Sequence, residues 1–273
     1  MNVLSAIASS SFIGEGAPGL AAAANKVGAE LISAANGAGT GLVSLGKNDP
    51  NWLDNPALTK QFIPAIGETL LMMGFSTFFA VLIGLPLGLL LVQTGKRGLT
   101  PIAPVYQFLS FVVNIVRSLP FIIGIIMLLP FTKFLLGTSL GWQATVVPLV
   151  VLSVPFFARL VESNILALDE GKIEAAQMMG ASNRQIRWGV QVREAMPMLV
   201  QSITTLAITL IGYSAMAGAV GGGGLGQMAI NYGYNRWQDD VMISTVVAII
   251  VIVQIVQLVG DWIARAVDHR SRD

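Results

Sequence analysis

TLLMMGFSTFFAVLIGLPLGLLLV, residues 69–92, decides what kind of protein this is. No side chain from Thr69 to Gly95 carries a charge. A helix needs about 20 apolar residues to cross a bilayer, and this run exceeds that. The rest of the chain agrees with it. It is 54% hydrophobic and 11% charged, with a mean hydropathy of +0.70. Sixteen Lys and Arg with 15 Asp and Glu cannot cover the surface of a soluble core this large. The composition reads as an all-α integral membrane protein. The ten-residue alternation of a membrane β-barrel is absent from the apolar runs.

Working outward, four further spans follow. The five are expected at about 68–93, 108–132, 139–160, 197–220 and 241–263. The second needs FLSFVVNIV ahead of Arg117 to reach full length, which places Arg117 at an edge where it snorkels to headgroups. Beyond Arg117 the span cores carry no ionisable residue, so paired carboxylates or a nucleophile–base pair for an intramembrane enzyme are missing. A net charge of +1 leaves no nucleic-acid footprint. There is no Cys and one His, which removes disulfides and leaves no basis for a metal site. Residues 1–60, rich in Ala, Gly and Ser, read as a weakly structured or amphipathic extension, an additional helix being the alternative.

Lys and Arg set the orientation. Eleven fall on the side of the 165–196 loop and the C-terminus and five on the other. That side is expected to be cytoplasmic, with the N-terminus outside.

The 165–196 loop is the chain's second unusual stretch. From Arg159 to Glu194 it gathers ten charged side chains: Arg159, Glu162, Asp169, Glu170, Lys172, Glu174, Arg184, Arg187, Arg193 and Glu194. Arg159 and Glu162, three apart, are expected to pair as the third span ends. EGKIEAAQMMGASNRQI, 170–186, reads as two short helices. The first runs from about Asp169 to Met179 and ends at Gly180, the residue type that tolerates the left-handed turn. Ser182 and Gln185 form a capping box for the second, about Asn183–Ala195, ending near Pro197. Ala175 and Ala176 make a flat spot beside Ile173 and Met179, suited to a broad partner. Plain helix-forming alanines are the bland alternative.

Glu174-Ala175-Ala176 followed by Gly180 resembles the EAA signature of the permeases of ATP-binding-cassette importers. NIVRSLPFI (114–122), PFTKFLLGTSLGWQATVVPL (130–149), LIGYSAMAGAVGGGGLGQMAINYGY (210–234) and VGDWIARAV (259–267) are similar to the methionine-importer permeases. The resemblance covers roughly residues 65–268. It implies the transmembrane domain of a type I importer, working as a homodimer in a bacterial inner membrane. Glu174, Ala175, Ala176 and Gly180 would then belong to a coupling helix docked on a cytoplasmic ATPase. Two ATPase subunits would hold ATP and Mg, and this chain would bind no cofactor and do no covalent chemistry. A methionine-binding lipoprotein receptor would deliver substrate from outside, and membrane lipid would surround the dimer. A permease for another amino acid or small solute is the alternative.

GAVGGGGLG, 218–226, lacks the Gly-Lys-Ser/Thr ending of a phosphate loop and reads as a loose, close-packing turn between the last two spans. Tyr213, Ser214 and Met216 just before it are pathway candidates, Met216 as a flexible apolar plug. Asn114, Gln143 and Thr205 are further residues that would face a pathway.

Overall fold

A computed structural model describes residues 55–268. The described residues fold into helices: α1 (Pro56–Thr94), α2 (Ala103–Ser118), α3 (Phe121–Leu136), α4 (Trp142–Leu166), α5 (Glu170–Met178), α6 (Asn183–Gly218), α7 (Gly224–Met228) and α8 (Asp239–Val267). Four of them, α1, α4, α6 and α8, are individually long and apolar enough to cross a membrane, and α2 with α3 passes the same test only as a bent pair, a fifth span if the two are counted as one. The protein is a multi-pass membrane protein.

α1 starts earlier than the apolar run suggests. Asn55 caps it by accepting the Ala57 N–H at 2.9 Å, and Pro56 occupies the first helical position, where a missing N–H costs nothing. At 39 residues it is about 58 Å long, well beyond the ~30 Å of a hydrocarbon core. Residues 55–60, assigned above to the extension, therefore begin this helix. The remainder of the extension and the tail beyond Asp268 lie outside the described residues.

Every fourth residue along α1 is small and buried: Ser76, Ala80, Gly84 and Gly88. That ridge lets α4 approach closely, with Phe157 and Val161 lying where side chains on Gly84 and Gly88 would go. The central core forms along this contact, from Leu89, Val92, Leu149, Phe157 and Val161, and extends to Leu206 and Leu210 of α6. A second core joins Ala57 and Ala65 of α1 to Ile211, Leu225, Met228, Val241 and Ile252.

The second span is not continuous. Between α2 and α3 the chain bends by 106°. Pro120 lacks the N–H that would continue the ladder, and it forces Leu119 into extended backbone (ψ 129°). Arg117 stands exposed in the last turn of α2, at the elbow, and its neighbour Val116 packs against the cluster of Ile125, Leu152 and Ala217.

The fourth span also departs from expectation. No helix ends near Pro197. α6 runs from Asn183 through Pro197 to Gly218, tolerating the proline as membrane helices do. Its base, Ile186–Gln191, is π-helical, with the Val192 N–H reaching back to the Arg187 carbonyl. What reads as the second loop helix is the base of the span itself.

Candidate functional site

The loop between α4 and α6 presents α5 as a separate short helix. Asp169 caps it, accepting the Gly171 N–H at 3.0 Å. Its C-terminus closes through Met179 N–H to the Ala175 carbonyl and Ala181 N–H to the Ala176 carbonyl, both at 3.1 Å. Gly180 makes this closure with φ +78°, a left-handed conformation that costs a Cβ-bearing residue. The capping box follows: Ser182 N–H donates to Gln185 Oε1 at 2.8 Å and Gln185 N–H to Ser182 Oγ at 3.4 Å.

The face that α5 offers differs from the flat alanine spot. Ala176 is turned inward, 5% exposed. Glu174 and Ala175 are exposed. Beside them Met178 and Met179 are 90% and 81% exposed, two large apolar side chains on a polar loop. Two adjacent methionines in a charged segment are the sequence signal for this face, and the reading of the alanine spot uses only Met179. Such side chains reshape to fit a partner.

Two ion pairs tie α5 to the spans. Glu170 meets Arg97, in the turn after α1, at 3.4 Å. Lys172 meets Glu194 of α6 at 2.6 Å.

Where α4 ends, a third pair lies much deeper. Arg159 and Glu162 close to 2.6 Å, with Glu162 only 3% exposed. Arg159 also donates to Ser110 Oγ at 2.8 Å and to Asn114 Oδ1 at 2.9 Å, while the Tyr106 hydroxyl donates to Glu162 Oε1 at 3.2 Å. Tyr106, Ser110 and Asn114 recur every four residues along one face of α2, and this spacing was the legible sign that they act together. The network latches the broken half-span to α4. Asn114 thus serves Arg159. Glu162 is tolerated at this depth because it is buried together with its partners.

The three pathway candidates separate. Tyr213 stacks on Phe121, ring centroids 3.7 Å apart at 12°, and so holds the elbow of the broken span. Ser214 is buried and donates to the Ile211 carbonyl at 2.8 Å. Met216 is 50% exposed. It continues an exposed stripe on α6 through Gln201, Thr205 and Gly212. The Thr205 hydroxyl turns back to its own helix, donating to the Gln201 carbonyl at 3.0 Å. Gln143 is exposed near the start of α4.

The glycine-rich run is not loose. Gly222 to Gly226 are all buried. Glu68 of α1 accepts the Gly224 N–H at 2.7 Å, and Thr69 Oγ1 accepts the Leu225 N–H at 2.9 Å. A side chain on Gly226 would run into the Ala215 backbone. The glycines serve close packing against α1 and α6.

Comparison with known proteins matches this architecture. The profile of the family described as "Binding-protein-dependent transport system inner membrane component" matches residues 84–273. The probable D-methionine transport system permease protein MetI of Vibrio cholerae is 45% identical over 208 residues, 76% of this chain and 92% of that protein. The methionine import system permease protein MetP of Bacillus subtilis is 48% identical over 181 residues, 66% of this chain and 82% of that one. Among solved structures, the MetNI methionine ABC transporter in inward facing conformations contains a chain with 44% identity and a TM-score of 0.77. The match covers 79% of this chain and all of that one.

Proposed function

The chain belongs to the binding-protein-dependent transport system inner membrane components, and from that premise we infer that it is the permease subunit of an ATP-driven methionine importer. The observation that carries the reading is α5: a short capped helix, set between spans, with Met178 and Met179 almost fully exposed.

In this reading two copies meet along the exposed stripe of α6 and enclose the pathway. Met216 closes it at one end, and Tyr213 and Ser214 hold the helices that shape it. α5, with Glu174, Ala175 and the turn at Gly180, seats on an ATPase subunit in the cytoplasm, and Met178 and Met179 enter that subunit's groove. Ala176 supports the helix from beneath. The Lys and Arg bias puts this loop and the C-terminus in the cytoplasm and the N-terminus outside. A methionine-binding receptor delivers substrate at the outer end.

ATP and Mg belong to the two ATPase subunits. This chain contributes differential contacts: closure of the ATPases draws the two α5 helices together and shifts the bundle between its open states.

ATP-dependent uptake of labelled methionine into liposomes holding this chain, the ATPase and the receptor tests the reading. Gly180→Trp abolishes uptake and releases the ATPase, because φ +78° disfavours any side chain and an indole stands in the docking turn. Uptake of another amino acid but not methionine would retain the architecture and reject the substrate. Wild-type uptake by the variant would reject α5 as the coupling element.

A further inference from the structure

Within α5, Ala176 is the one fully buried residue. An alanine methyl cannot fix the orientation of a nine-residue helix by packing. Between α5 and the base of α6 opens a half-open cleft of about 370 Å³, lined by Leu168, Asp169, Lys172, Ile173, Val190 and Glu194. A short helix bordering an open cleft shifts into it when pressed unless something holds it off.

Lys172 Nζ and Glu194 Oε2 span that gap at 2.6 Å. They are separated by 22 positions in sequence and belong to different helices. Glu194 stands just above the π-helical base of α6. A π turn holds an extra residue and is found frequently at functional sites. The second tie, Arg97 to Glu170, is longer at 3.4 Å and more exposed, 74% and 64% against 50% and 32%.

We propose that Lys172 and Glu194 form a strut that positions α5 against α6 and delivers the displacement of α5 to that span, bypassing the cleft. The inference rests on the permease reading. Lys172 and Glu194 act in this proposal as positioning residues, through the helices they join. Removing the strut leaves docking and ATP hydrolysis in place and lets part of each stroke collapse into the cleft.

The test measures methionine uptake and ATP hydrolysis on the same liposomes, made with the permease, its ATPase and the receptor. In Lys172→Ala, ATP consumed per methionine imported rises about two- to fivefold, the scale a half-exposed ion pair can shift, and the ATPase still co-purifies. Lys172→Arg keeps the wild-type ratio. The exchange Lys172→Glu with Glu194→Lys brings the ratio back toward wild type. An unchanged ratio in Lys172→Ala overturns the strut, and so does loss of the ATPase from that variant, which would make Lys172 a docking residue. Absence of uptake in wild type would instead overturn the permease reading beneath it.

Discussion

Arg159–Glu162 and Lys172–Glu194 close to the same 2.6 Å, and they do different work because of where they sit. The first lies between two helices of the bundle, with the Glu162 side chain 5% exposed and three polar neighbours, Tyr106, Ser110 and Asn114, sharing the two charges. The second bridges a loop helix and the base of a span, half in solvent. A buried pair costs several kcal/mol to desolvate and tolerates no missing partner. A half-exposed pair contributes little to stability, but it can fix a direction. Distance alone distinguishes nothing here.

The sharpest way to break the comparison is to take one partner from each. Arg159→Met leaves Glu162 buried without its cation and frees Ser110 and Asn114. Stability should fall by about 3–5 kcal/mol, read as the unfolding midpoint in detergent. The double variant Arg159→Met with Glu162→Leu should recover most of that loss, because an apolar pair fills the same space without a charge to bury. If single and double variants fall equally, the network is not held by its charges, and the contrast between the two pairs fails.

A neutral buried link should fall between the ion pairs. Thr69 accepts the Leu225 N–H at 2.9 Å, where Leu225 is 0% exposed. Thr69→Val keeps the shape and orphans that donor, at about 1–3 kcal/mol. Thr69→Ser restores the acceptor and should restore most of the stability. A loss as large as that of Arg159→Met would mean that the glycine-rich segment anchors the fold more strongly than the latch does.

How much of this was legible follows from range. Features made by neighbours in sequence could be read: the uncharged run of α1, the Ser182–Gln185 box, the turn at Gly180, and Arg159 with Glu162 three apart. The helical class was equally readable. What escaped depends on distant partners. Thr69 and Leu225 are 156 positions apart, so GAVGGGGLG could not show whether its glycines flex or pack. Pro120 was visible, but the apolar stretch after Arg117 was too short to span alone, and joining it to α2 hid the break. Pro197 misled in the opposite direction: it signals a helix end in water and is passed over here. In the loop between α4 and α6, EAA marked the helix while burial decided its face, turning Ala176 in and Met178 out.

The smallest expected effect is the most discriminating. Lys172→Ala should change stability by less than about 1 kcal/mol, and by less still at high salt, because solvent already screens half the pair. The same substitution is expected to change ATP consumed per methionine. A residue that acts only by holding the fold together moves both readouts or neither. A residue that transmits displacement moves the second without the first. If Lys172→Ala lowers the unfolding midpoint as far as Thr69→Val does, then Lys172–Glu194 belongs with Arg159–Glu162 as a structural latch, and the two regions differ only in depth.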